Sequence, residues 1–297
     1  MMTETRDKAP FVQLSNGTLS ASINPFGAEL SSLRDADGRE LMTNADPAFW
    51  RGRAPILFPI VGRLNDDVLW LDGDSYRMEK HGFARRSMFD PVDVTGTTAS
   101  FRMTDNVETY AQFPFHFLLE ISFAIADATL VMTATIGNSG TTPMPFSFGW
   151  HPAFAWPLPY GHPRGDHRIL FETEEPDMLK GLSPEGLIAE DRPTPVDGKM
   201  LRLADALFER DALIWNPIHS RQLCYGANTG PQLDISFPDT PRLGIWTKPG
   251  AHYICIEPWQ GIADPVGYQG DFCDKPGVVM LAPAAQHRIE MRVTVSG

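Results

Sequence analysis

A chain of 297 residues, 42% hydrophobic and 21% charged, is long enough to bury a substantial core, and its composition excludes an intrinsically disordered protein. The 25 Lys and Arg against 37 Asp and Glu leave a net charge of −12. That balance repels polyanions and argues against nucleic acid or an anionic membrane as partner, although a small anion can still meet a local basic pocket.

Residues 1–10, MMTETRDKAP, contain no apolar run of the kind a secretory signal needs. They are expected to form a flexible extension. Runs at 19–24 and 29–33 read as short strands. Asp35-Ala36-Asp37-Gly38 has the chemistry of a hairpin turn and lacks the later ligands of a calcium loop. Strands are predicted at 92–94 and 99–103, and a turn of helix at 107–112. Residues 117–125 alternate, with Phe117, Leu119, Ile121, Phe123 and Ile125 inward and Glu120 and Ser122 outward. Ala126-Asp127-Ala128 then joins them to a partner strand at 130–136, as in a hairpin.

The longest charge-free run, between Asp127 and Arg164, is broken by glycines and prolines, so no membrane span is expected. Residues 161–195 read as loops with one strand-like piece at 168–172. A second helical turn is predicted at 203–208, and strands at 212–215, 232–237, 243–247, 252–257 and 278–282. The run 287–295 is another alternating strand, with Ile289, Met291, Val293 and Val295 on one face. Glycine and proline, 25 and 26 residues, exceed average usage and fit many turns. No strand–helix–strand rhythm is visible, which counts against a parallel sheet. The expectation is an all-β protein, a large antiparallel β-sandwich forming a single domain over 1–297. Cys224, Cys255 and Cys273 are odd in number and lack CxxC spacing, so no disulfide framework is expected. A cytoplasmic protein, monomeric or weakly dimeric, is the expectation.

Three segments place a titratable residue inside an apolar, Gly/Pro-bounded run. The first is Ala54–Arg63 (APILFPIVGR), followed by Lys80-His81-Gly82-Phe83-Ala84-Arg85. The second is Phe148-Gly149-Trp150-His151-Pro152-Ala153-Phe154, and the third Cys255-Ile256-Glu257-Pro258-Trp259-Gln260-Gly261. Loops on a rigid sheet scaffold are where such residues do chemistry. Each also has an ordinary structural explanation. His151 suits a hydrogen-bonded core position, and Arg63 suits an ion pair with Asp66 or Asp67. His81, His116 and His151 lack the HxxxH or HEXXH spacing of a zinc site, and no GxSxG elbow, phosphate loop or GxGxxG occurs.

In order and spacing, Gly27-Ala-Glu-Leu30, Leu57–Arg63, His81-Gly-Phe83, His151-Pro-Ala-Phe154, Phe208–Leu213 and Glu257-Pro-Trp259 with Gly261 together resemble the aldose 1-epimerase (galactose mutarotase-like) family, and more closely its LacX-like branch. The resemblance covers about residues 16–295. It implies a β-supersandwich and a cofactor-free, metal-free isomerase that interconverts the α and β anomers of a hexose. It also implies His151 as general acid, Glu257 as general base, and Arg63, His81 and Asp211 as substrate-binding residues. Trp259 or Trp150 is expected to stack on the sugar, or else to pack in the core. His151-Pro152-Ala153-Phe154 and Leu64-Asn65 depart from the galactose-specific members and place galactose preference in question.

The chemistry suits these residue types. Ring opening needs a base for the C1 hydroxyl and an acid for the ring oxygen. A carboxylate with an unperturbed pKa of about 4.3, raised by Ile256, Pro258 and Trp259, and an imidazole near 6.5, raised by a neighbouring carboxylate, would supply both. Two alternatives stand beside this reading. One is a hexose 6-phosphate substrate, suggested by Arg51, Arg53, Arg85 and Arg86. The other is a non-catalytic carbohydrate-binding protein on the same scaffold.

Overall fold

The computed structural model describes residues 10–297, so the expected N-terminal extension lies, but for Pro10, outside the described residues. The described residues form a β-sandwich whose sheets are built from antiparallel strand pairs. A nine-stranded sheet runs in the order Met200–Arg202, Arg168–Phe171, Gln222–Gly226, Gln232–Ser236, Gln286–Ser296, Thr129–Asn138, Phe117–Ala126, Thr98–Thr104 and Asp90–Val94. Its centre is the predicted hairpin. Phe117–Ala126 alternates buried and half-buried residues and pairs with Thr129–Asn138 over its full length, across a turn in which Asp127 takes a φ of 52°. Gln286–Ser296 lies on the other side of Thr129–Asn138.

The second sheet runs Phe148–Gly149, Tyr253–Gln260, Arg242–Trp246, Leu213–Trp215, Leu179–Leu182 and Ile188–Arg192, with Ala153–Ala155 also pairing onto Tyr253–Gln260. Its two faces do different work. Leu213, Trp215, Leu243, Ile245, Ile254 and Ile256 join the main core, which also holds Phe117, Leu119, Ile289 and Met291 of the nine-stranded sheet. The opposite face carries Ile214, Trp246, Cys255 and Trp259, in two smaller apolar groups of its own, and Glu257 between them. Strand geometry requires this division, because residues two apart share a face. A strand covered on both sides therefore reads as a continuous apolar run. Tyr253–Gln260 is such a strand, buried at all but its last residue.

Residues 161–195 differ from expectation. They hold three strands, Arg168–Phe171, Leu179–Leu182 and Ile188–Arg192, rather than loops with one strand. The last is the sheet edge and is polar for that reason, so it shows no apolar alternation. The two helical turns are present but short. Val107–Tyr110 is an α-turn capped by Asn106, and Asp205–Phe208 is a 3-10 turn. The Asp35–Gly38 turn forms as read, with the Asp35 carboxylate accepting from the amides of Asp37 and Arg39. No helix among the described residues is long and apolar enough to cross a membrane.

Candidate active site

The strand Tyr253–Gln260 brings two of the sequence motifs together. Gly149 pairs with Trp259 and Ala153 with Cys255 in one register. Carried through the gap between them, that register sets residue 151 opposite residue 257. His151 and Glu257 meet there, with Nε2 3.2 Å from Oε2, and both side chains are nearly sealed from solvent. They line a cavity of about 190 Å³ with His81, Asp211 and Trp259. Of the six residues proposed from the sequence, five share this cavity.

Arg63 does not line it. Its guanidinium makes a two-bond ion pair with Asp67 at 2.8 and 3.1 Å and donates to the Glu185 carbonyl, and 40% of the side chain stays exposed. Of the two functions open to it, the ion pair is the one formed. The neighbouring Gly62 reaches the cavity instead.

His81 is held by the segment that contains Gly62. The Gly62 amide donates to His81 Nδ1 at 3.1 Å, and the His81 amide donates to the Gly62 carbonyl at 2.8 Å. An accepting Nδ1 leaves Nε2 as the protonated nitrogen, so the neutral ring offers one donor. His81 and Asp211 have φ values of 68° and 67°, a left-handed conformation that non-glycine residues adopt at a cost of about 1–2 kcal/mol. Gly82 continues the same turn at φ 70°, and a Cβ on it would lie 2.1 Å from the Phe58 carbonyl oxygen, so only glycine fits.

Trp259 forms one wall. Its indole spreads across Gly149 and Gly244 on the neighbouring strands, where added Cβ atoms would come within 2.6 and 2.5 Å of the ring. It lines the cavity and also packs with Leu57, Val61, Ile214 and Ala263, so one indole belongs both to the packed layer and to the cavity wall. Trp150 packs in the main core and does not line this cavity.

Four further residues lie near the acid–base pair, and the sequence reading gave none of them a role there. Trp50 stacks on the His151 ring at 5.0 Å, and Trp246 meets the same ring edge-on at 6.1 Å. Lys80 lies on the cavity rim beside Arg85. Cys255 lies two residues from Glu257 on the same strand face. Lys80 adjoins His81 in a segment already singled out, whereas Trp50 and Trp246 sit in no motif.

Of the four arginines named from the sequence as candidates for a phosphate, Arg51, Arg53, Arg85 and Arg86, Arg85 alone lines the cavity. Arg53 donates to the Ser31 and Thr43 carbonyls, and Arg86 pairs with Glu79.

Electrostatics reverse one expectation. Burial drives the His151 pKa down to about 3, and the positive charges of Lys80 and Arg85 add to the fall. Desolvation of the imidazolium sets the direction, opposite to the rise anticipated from a neighbouring carboxylate. Burial pushes Glu257 well up, in the expected direction. Lys80 and the Trp259 indole N–H pull it back, and Asp211 raises it further. His81 falls well below its ordinary value, again through burial first. Burial thus disfavours the charged form of both members of the pair.

A family model described as aldose 1-epimerase matches residues 10–196. Protein LacX (chromosomal) of Lactococcus lactis subsp. lactis is 30% identical over 295 residues, covering 96% of this chain and 99% of that one. Among solved structures, a galactose mutarotase related enzyme from Lactobacillus acidophilus aligns with a TM-score of 0.89 at 29% identity, covering 97% of each chain. A galactose mutarotase-like protein from Lactobacillus casei ATCC 334 gives a TM-score of 0.90 at 28% identity, covering 96% of this chain and all of that one.

Proposed function

The chain belongs to the aldose 1-epimerase family, in its LacX-like branch, and from that premise we propose that it interconverts the α and β anomers of a hexose through His151 and Glu257. The observation that carries the proposal is the 3.2 Å contact between the imidazole and the carboxyl inside one cavity.

The pair shares one proton, which is the number the reaction needs. From carboxylate and imidazolium, Glu257 takes the C1 hydroxyl proton while His151 protonates the ring oxygen. The ring opens, and the pair is left as carboxylic acid and neutral imidazole. The C1–C2 bond rotates, and closure on the other face returns both protons. Burial favours the neutral form of the pair, so the site stabilises the state that accompanies the open-chain aldehyde. His81, donating through Nε2, and Asp211, accepting at the rim, would hold sugar oxygens. Trp259 offers a flat wall for the sugar's C–H face.

The test is the rate of anomer exchange measured by magnetization-transfer NMR on a panel of hexoses. Hexose binding without any acceleration of exchange would replace this reading with a non-catalytic sugar-binding protein.

A second reading, a hexose 6-phosphate substrate, is favoured by Lys80 and Arg85 at the rim. Among the described residues the Lys80 ammonium has no ion pair or hydrogen bond, and two cations on one cavity stand out in a chain of net charge −12. Exchange rates on glucose and glucose 6-phosphate, compared side by side, decide between the two substrates.

A further inference from the structure

We propose that His151, Cys255 and Glu257 form a binding site for a thiophilic divalent cation, zinc above all, and that a bound zinc ion shuts the acid–base pair down. The inhibition rests on the mutarotase reading; the metal binding does not.

The ligand atoms of these residues, a ring nitrogen, a sulfur and a carboxylate oxygen, all lie within 4.8 Å of one another, and all three residues are buried. The His151–Glu257 separation of 3.2 Å is already that of two ligands on one tetrahedral zinc ion, which at bond lengths of about 2.0–2.1 Å stand about 3.3 Å apart. Strand geometry supplies the third ligand. Cys255 and Glu257 are two residues apart in Tyr253–Gln260, so their side chains leave the same face, and His151 faces them from the adjoining segment. At 4.8 Å or less from the other two ligand atoms, the sulfur is within about 1.2 Å of the roughly 3.6 Å spacing that a thiolate and an oxygen or nitrogen ligand keep on one tetrahedral zinc ion.

The donor set selects the ion. A thiolate with an imidazole suits zinc, cobalt or cadmium and is a poor site for magnesium or calcium, which take oxygen ligands. Three protein ligands leave a fourth position toward the cavity for water or a sugar hydroxyl. Charge balances as well. Binding displaces the thiol proton and the proton shared by His151 and Glu257, so the two anionic ligands neutralise the dication beside Lys80 and Arg85. With zinc in place, His151 Nε2 and the Glu257 carboxylate are both occupied, and neither can exchange a proton with a sugar.

The experiment titrates the full-length protein with cobalt(II) and follows absorption. The expected result is one cobalt per chain, with a near-ultraviolet sulfur-to-cobalt band and tetrahedral visible bands, both displaced by zinc. The bands should vanish in Cys255→Ser and in His151→Asn, and persist in a Cys224→Ser/Cys273→Ser variant. If Cys255→Ser does not fold, as judged by near-ultraviolet circular dichroism, Cys255→Ala replaces it, and His151→Asn tests the site independently. In the exchange assay, equimolar zinc should stop the wild-type protein, chelator should restore it, and the Cys255 variant should need at least about tenfold more zinc. A sulfur band that survives loss of Cys255, cobalt binding with no sulfur band, or equal zinc sensitivity of the two proteins would overturn the proposal. A protein that binds cobalt as expected but accelerates no anomer exchange would overturn the mutarotase reading and leave the metal site standing.

Discussion

At the scale of single residues, the site works through what burial does to charge. Glu257 and His151 touch in a space that excludes most water, and burial disfavours the charged form of each. Glu257→Gln and His151→Asn should each reduce the anomer-exchange rate about 10²- to 10⁴-fold, the usual contribution of one acid–base group. The double variant should be little worse than either single one, because the residues act together. A single variant within about fivefold of wild type in the NMR assay would remove that residue from the mechanism. Lys80 tests the second substrate reading. Lys80→Gln should raise KM for glucose 6-phosphate about tenfold more than for glucose, since hydrogen bonds to charged groups are worth about 1.5–3 kcal/mol. An equal effect on both sugars would leave Lys80 without a phosphate contact.

At the scale of elements, two glycines set the shape of one cavity wall. Trp259 lies flat only because Gly149 and Gly244 flank it. Gly244→Ala should cost about 1–3 kcal/mol by overpacking and turn the indole. Urea unfolding reads the loss, and a changed tryptophan emission reads the movement; a variant with neither would show that the wall is softer than its contacts imply. Behind another part of the sandwich, His167 Nε2 accepts from the Leu158 amide at 3.0 Å while Nδ1 faces the Pro163 carbonyl at 3.0 Å, which requires a neutral ring. Burial lowers its folded-state pKa, with the Pro163 carbonyl and Asp166 opposing and His162 assisting. A group whose pKa is lower in the folded state gives stability that is full above its unfolded pKa, about 6.5, and is lost as pH falls toward the folded value. Wild-type protein should therefore lose about 1–3 kcal/mol as the pH drops below about 6.5, the cost of breaking a buried hydrogen bond. His167→Gln should show a flatter profile in the same urea titrations. Parallel profiles would mean that other groups drive the acid loss.

At the scale of the molecule, the cavity is assembled from parts far apart in the chain, and buried polar ties lock them. Asp264 accepts from the Asn65 amide and side chain, faces Lys275 Nζ at 2.9 Å, and its backbone bonds to Arg63 and Ile188. Asp264→Ala would strand a buried ammonium and should cost about 3–5 kcal/mol in urea unfolding. A loss below about 1 kcal/mol would mean that water replaces the carboxylate. Much of this molecule was legible beforehand. The hairpin around Asp127, the strand 287–295 and the β-sandwich follow from apolar alternation, which is a local property with a period of two residues. The motifs around His81, His151 and Glu257 were visible as polar residues in apolar runs, and their order carried the family. The edge strand Ile188–Arg192 was not legible, because its Glu190, Asp191 and Arg192 are polar and largely solvent-facing and so show no apolar alternation. The same holds for Arg63, whose choice of Asp67 over the cavity depends on where the chain turns, and for Trp50 and Trp246, which belong to no motif. The direction of the His151 pKa was beyond reach too, because it follows from burial by segments remote in sequence. Local periodicity and residue chemistry thus determine most of the strands and the fold class and mark the candidate site residues, while the environment that sets each group's charge exists only once distant strands have packed.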